Sequence, residues 1–377
     1  MSSNSQPGTV GSPSRPDLFS RLEHYWRLVT DGLEVGQLWS QFEADTRASY
    51  RFYARGVNAD AAAGSSRWKH YLHIAGQVFW SVLEKLSPVR RLLLLLALIL
   101  LVYPNHRFSS ILYSWVVLLL LLLLEVTDRV VMKRDLEIAR EIQRWLLPAT
   151  PPQVPGMQIA FITRPANTVA GDYYDVFARP SAAGSSDRFL ISVADVSGKS
   201  IPAALLMAAF QASLKTLTAT PCSLKELVAA MNRYACTNSQ QGLRFTTAFL
   251  AEFDPESRSL TYVNAGQNPP VLRRGSGEIQ RLEAGGLPLG IIAATVYETG
   301  SVTLHSGDVL AIFTDGLIEA VNARDEEYEE QRLVNVLQSR ANSNPDELLR
   351  ALMYDVDAFV GSTAQHDDIT CMLIRAS

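Results

Sequence analysis

The stretch Ser192-VADVSGKSIPAALL-Met207 carries two structural signals back to back. Its first half closes an apolar run, Phe189-LISVA, that has the length of a strand and ends at Asp195. Gly198 then offers a turn, and Pro202, placed near a first helical turn, opens an Ala/Leu/Met run that reads as a helix over 201 to 217. The same device recurs downstream, where Val309-LAIFT runs into Asp315. Outward from these two points, short apolar runs predict strands at 157 to 163, 173 to 178, 188 to 194, 245 to 253, 259 to 264, 270 to 274, 278 to 282, 299 to 304, 308 to 313 and 368 to 375. Thr246-TAFLAEF and Leu260-TYVNA, on either side of Asp254-Pro255-Glu256-Ser257, predict a hairpin. Further helices are expected over 223 to 236, where Ser223 and Glu226 form a capping box, and over about 345 to 359. Hairpins interrupted by paired helices predict an α+β domain at 151–377, with antiparallel sheets covered by helices.

The chain has 377 residues, 47% hydrophobic and 19% charged, which suffices for a large core and excludes a disordered protein. Net charge is +4 over residues 1–147 and −8 over 148–377, so the second half offers no surface for nucleic acid. Cys222, Cys236 and Cys371 are too few and too scattered for a disulfide framework or a zinc site, and a reducing compartment is expected. Residues 1–16 read as a disordered tail, with neither the basic nor the apolar region of a secretory signal. Residues 17–88 read as a helical region of unknown role.

Two apolar runs, Arg91-LLLLLALILLVYP and Ile111-LYSWVVLLLLLLL, flank the short polar loop Asn105-His106-Arg107 and predict a membrane helical hairpin at 89–126. Lys85, Arg90 and Arg91 precede it and Arg129, Lys133 and Arg134 follow it, against Arg107 in the loop. The positive-inside rule therefore predicts a multi-pass protein of the inner or cytoplasmic membrane with its second half in the cytoplasm. The first run is short for a full span. Residues 127–150 read as a linker helix. Met132, Ala139, Ile142 and Leu146 give it a partial repeat compatible with a homodimer through 126–147, interrupted at Asp135. Pro148, Pro151, Pro152 and Pro155 then stop it.

Four acidic elements stand at strand ends or turns: Gly171-Asp172, Asp195-Val196-Ser197-Gly198, Thr314-Asp315-Gly316 and His366-Asp367-Asp368. Each alone is ordinary turn chemistry. Together they place carboxylates on rigid strand ends, and carboxylates gathered so closely repel unless cations lie between them. Asp donors without convergent His or Cys suit hard ions, Mg²⁺ or Mn²⁺, and not zinc. The acidic run Asp325-EEYEE reads as a solvated helix start, and Gly275-Ser276-Gly277 and Gly285-Gly286 match no nucleotide-binding loop.

From about Leu136 to Arg375 the chain resembles the metal-dependent protein phosphatase (PPM) family in its bacterial SpoIIE/RsbU-like branch. The resemblance rests on Ala139-REIQRWLLP, Pro165-ANTVAGDYYDVF, Ser192-VADVSGKSIPAALLM, Phe245-TTAFLAEFD, Tyr262-VNAGQNPPVL, Gly286-LPLG, Leu310-AIFTDGLIEA and His366-DDIT. It implies a four-layer αββα sandwich, two Mn²⁺ or Mg²⁺ ions at one edge of the paired sheets, and hydrolysis of phosphoserine or phosphothreonine by metal-activated water without a phosphoenzyme. By the same likeness Asp195 bridges both ions, Asp315 and Asp367 complete one site, and Asp172 with the Val196 carbonyl serves the other; of the adjacent pair Asp367 is favoured as the ligand over Asp368, which could instead cap the following strand. A phosphorylated regulatory protein, typically a STAS-type anti-sigma antagonist, is the implied substrate. A noncatalytic membrane scaffold binding such a partner, or a two-metal hydrolase of small phosphoesters, are the competing readings. The chain departs from the family's usual text at Ala170, Ser200 and Gln267, where Gly, Gly and His are common. Ala170 requires a negative φ at its turn.

Overall fold

The structure, a computed structural model, describes residue 80 and residues 86–102, 108–179, 187–238, 244–340 and 342–377. The tail at 1–16, almost all of the helical region at 17–88 and the loop at 103–107 lie outside the described residues. The chain divides into two units, Met1–Thr127 and Asp128–Ser377.

In the first unit the two apolar runs form helices α1 (Pro88–Val102) and the start of α2 (Phe108–Leu146). They meet through small residues: Ser114 Oγ donates to the Ala97 carbonyl at 2.8 Å, and both residues are buried. Arg90 pairs with Glu125 at 3.2 Å. The leucines around this contact stay uncovered, Leu92, Leu112, Leu119 and Leu122 among them. At 15 residues α1 is about 22 Å long, short of a bilayer's hydrocarbon core of about 30 Å. Among the described residues, Ile111–Leu146 and Ile201–Thr218 are long and apolar enough to cross a membrane, and the second of these packs on a sheet of the other unit. No break separates hairpin from linker: α2 runs unbroken for 39 residues, because the charged stretch after Leu124 holds neither Gly nor Pro to stop it.

The second unit is built on two sheets. One has the order β1 (Met157–Arg164), β11 (Ile369–Ala376), β10 (Val309–Phe313), β6 (Val271–Arg273), β7 (Ile279–Arg281). The other has the order β2 (Tyr173–Arg179), β3 (Arg188–Val196), β4 (Thr246–Asp254), β5 (Ser259–Ala265), β8 (Gly285–Gly286), with β9 (Gly300–Thr303) also on β5. Every pairing is antiparallel except β5 with the two-residue β8.

Three apolar clusters hold the layers. Ile191, Val193, Phe249, Leu310, Ile312, Met372 and Ile374 fill the space between the sheets. Leu190, Ala194, Leu250 and Val263, from the other face of the second sheet, pack on α3 (Ile201–Thr218) and α4 (Leu224–Asn238). Ala311, Phe313, Cys371 and Leu373 pack on α6 (Glu329–Ser339) and α7 (Pro345–Val360). Helices, sheet, sheet and helices thus stack in that order. Because both faces of β3, β10 and β11 are buried, their sequences are continuous apolar runs instead of alternating ones.

The Ser223/Glu226 box caps α4 as its spacing predicts: Glu226 N donates to Ser223 Oγ at 3.2 Å and Ser223 N to Glu226 Oε2 at 2.8 Å. Helix α6 answers to the helix start expected at Asp325-EEYEE, but it begins only at Glu329 and runs on to Ser339, with Leu333, Val334 and Leu337 buried. The acidic run before it hides an anchor, Tyr328, fully buried with its hydroxyl on Asp355 at 2.6 Å.

Candidate metal centre

Strand register brings the acidic elements together. Tyr173 pairs with Ala194 across β2 and β3, so Asp172 and Asp195 stand side by side at one rim of the second sheet. On the first sheet Phe313 pairs with Cys371, which sets the one-turn helix α5 (Asp315–Ile318) beside the residues that precede β11. Gly316 permits this approach. A Cβ there would lie 2.1 Å from the Asp368 carbonyl oxygen. Gly171 serves the other half, because a Cβ would stand 3.1 Å from the Val196 carbonyl oxygen and 3.7 Å from Asp195 Oδ1.

Thr314, which the sequence offers only as the neighbour of Asp315, ties the two sheets at the site. Its hydroxyl donates to Asp172 Oδ2 at 2.9 Å and accepts from the Thr370 amide at 3.0 Å. Gln267 forms a second tie: its Nε2 donates to the Phe313 carbonyl at 2.9 Å, and its Oε1 accepts from Thr247, the residue paired with Asp195. The amide at 267 thus offers a donor and an acceptor at once, which a neutral imidazole also does.

The Asp368 side chain holds the loop before β2. Its two oxygens accept the amides of Ala166, at 2.7 Å, and Gly171, at 2.6 Å, and so pin the loop that carries Asp172. The adjacent Asp367 is half-exposed, with Lys199 at 3.0 Å. The same loop is gripped from α2, where the Gln143 side chain donates to the Ala170 carbonyl at 2.6 Å and accepts the Ala170 amide at 3.0 Å. Gln143 lay within a recognised segment, but only its contact reveals its use. Ala170 has no positive φ; the departure that bends the backbone is Ser200, at φ 64°, ψ −142°.

The electrostatics are those of crowded acids. Burial pushes Asp195 up to about 7, and the charges of Asp315, Asp367 and Asp368 push the same way. Asp172 is held well above the usual carboxylate range by burial and by Asp195. Burial, then Asp367, raises Asp315. Asp172 Oδ1 is buried with no hydrogen-bond partner, an orphan of the kind a cation satisfies. Among the described residues no group of three or more acidic, His or Cys side chains closes around a single point. An oxygen-only edge of this openness fits Mg²⁺ or Mn²⁺, which keep several of their own waters and need only one or two carboxylates each.

Residues 185–377 match the family model described as Stage II sporulation protein E (SpoIIE). Among curated relatives, the phosphoserine phosphatase RsbU of Bacillus subtilis is 29% identical over 245 residues, 65% of this chain and 70% of RsbU. Protein IcfG of Synechocystis is 26% identical over 276 residues, 66% of this chain but only 42% of IcfG. Of solved structures, the SiaA-PP2C domain of Pseudomonas aeruginosa superposes with a TM-score of 0.56 at 21% identity, covering 66% of this chain and 99% of that domain. The RsbU and RsbW domains of a Mycobacterium tuberculosis protein give 0.51 at 24% identity, covering 61% and 63%. These likenesses show a PP2C-type phosphatase fold. The chain belongs to the SpoIIE family, within the PPM-type serine/threonine phosphatases.

Proposed function

We propose that the protein is a membrane-anchored, Mn²⁺- or Mg²⁺-dependent phosphatase that removes phosphate from phosphoserine or phosphothreonine on a regulatory protein, a STAS-type antagonist by family likeness. The observation that carries the reading is the convergence of Asp172, Asp195, Asp315 and Asp367 from two sheets onto one rim, with an unsatisfied oxygen on Asp172 and a carboxyl at Asp195 that burial and its neighbours keep from ionising freely. Asp172, Asp195, Asp315, Asp367 and the Val196 carbonyl would hold the ions between them. Such ions supply an activated water and neutralise phosphoryl charge. The protein's own part is to fix the donors: Thr314 holds Asp172, Gln267 braces the strand ends, and Asp368 pins the loop between them. No side-chain nucleophile is needed.

The apolar, uncovered surface of α1 and of α2 from Leu112 to Leu124 supports the membrane reading. The linker part of α2 supports a homodimer in a changed register. Ala139 and Leu146 of the expected repeat turn inward with Gln143, while Val131, Ile138, Ile142 and Trp145 form the exposed stripe. Phosphate release by the full chain in detergent, with Mn²⁺, from a phosphoserine protein and from a small phosphate ester tests the activity. The protein substrate should be preferred, and Asp195→Asn should lower its turnover at least about 10²-fold, as for loss of one electrostatic anchor. Equal turnover by the variant would refute the reading, and preference for the ester would reassign the substrate.

A further inference from the structure

Lys199 follows Gly198 in the turn after β3, and its ammonium lies 3.0 Å from Asp367 Oδ2 and 2.6 Å from the His366 carbonyl oxygen. The other oxygen, Oδ1, accepts the Asp368 amide at 3.0 Å. Both oxygens of Asp367 therefore already have a donor. A divalent ion taking this carboxylate as ligand must displace or share one of them. The Asp368 amide is fixed in the backbone, next to a side chain pinned by Ala166 and Gly171. Lys199 is 56% exposed at the end of a flexible stem, so the ammonium is the donor that yields.

The fold as well as the ion pair sets where this cation lies. Its backbone is constrained on either side, by Gly198 at φ 112° and by Ser200 at φ 64°. Of the neighbouring cations, Arg164 is committed to Asp357 at 2.5 Å, and Arg244 Nη1 lies beside Gly198.

We propose that Lys199 is a built-in counter-cation of the carboxylate edge: it neutralises Asp367 when no ion is bound, competes with the divalent ion for that carboxylate, and so sets how tightly the ion is held. The inference rests on the reading that the edge binds Mn²⁺ or Mg²⁺. A positioning residue of this kind has a signature that simple structural support lacks, because removing its charge weakens the ion-free protein and strengthens the ion complex.

The test is calorimetric titration of Mn²⁺ into the full chain in detergent without substrate, for wild type, Lys199→Met and Lys199→Arg, with thermal melts of each in chelator. Lys199→Met should bind Mn²⁺ about fivefold tighter, the scale of one exposed ion pair plus relief of like-charge repulsion. It should also melt lower than wild type in chelator, while Lys199→Arg should follow wild type in both. Wild-type binding with unchanged or weaker affinity in Lys199→Met overturns the counter-cation and leaves the metal site standing. No Mn²⁺ binding by wild type, with Asp195→Asn indistinguishable from it, overturns the metal reading and this inference with it.

Discussion

Ser200 is the residue where sequence and backbone conflict most openly. It stands before α3 at φ 64°, ψ −142°, a region that glycine enters freely and other residues enter at a cost of about 1–3 kcal/mol, and its side chain makes no capping hydrogen bond. Ser200→Gly should therefore stabilise the folded protein by about 1 kcal/mol, the strain relieved less the entropy glycine adds to the unfolded chain. A denaturant melt would read this, and a loss of stability would show that the conformation is not the native one. The carboxylates make a second prediction. Burial keeps Asp195 protonated up to about 7 in the fold, whereas in the unfolded chain it ionises near the ordinary aspartate value. Between those values the folded state binds more protons, so stability falls as pH rises from about 4 to 7 and levels off above. Melts in chelator across that range should show the decline, and Mn²⁺ should flatten it.

At the scale of elements, the contact between α2 and the loop before β2 is the one with consequences for control. Gln143 is 7% exposed and returns both backbone hydrogen bonds of Ala170, two residues before Asp172. Any rotation of the helix about its axis breaks both bonds together. Gln143→Ala should lose about 1–3 kcal/mol of local stability at the loop, from two buried backbone groups left unpaired. Amide exchange over 166–172 should quicken by about tenfold or more, with the rest of the domain unchanged. Unchanged exchange there would separate the linker from the site. The heptad-like letters of this helix were legible in the sequence, but which of them face inward was not, because Ala139, Ile142 and Leu146 are equally apolar on paper. Only the docking of α2 tells them apart.

For the molecule as a whole, the uncovered leucines of the first unit predict where the chain is found. It should sediment with membranes, resist alkaline carbonate and be released by detergent; release by carbonate alone would make it peripheral. The two-sheet core has the opposite character, with both faces of its central strands covered. Nearly all of these strands are legible in the sequence because a doubly buried strand needs an unbroken apolar run, and that requirement is local. Helix α6 is legible only at its acidic start, because its three buried side chains are spread among charged ones and so thin an apolar stripe is set by what it packs on.

The sequence by itself determined the strands that lead into Asp195 and Asp315, the helix after the first of them, the capped start of α4, the two apolar runs and the types of side chain offered to a cation. These follow from chain-local physics: period, turn chemistry, charge and oxygen donors. Tertiary structure alone decided that Thr314 and Gln267 tie one sheet to the other, that Asp368 serves backbone amides while Asp367 is left to Lys199, and that Ser200 carries the bent backbone. Each of these depends on groups far apart in the chain meeting within about 3 Å, a distance fixed by how the sheets pack and not by any neighbouring letter.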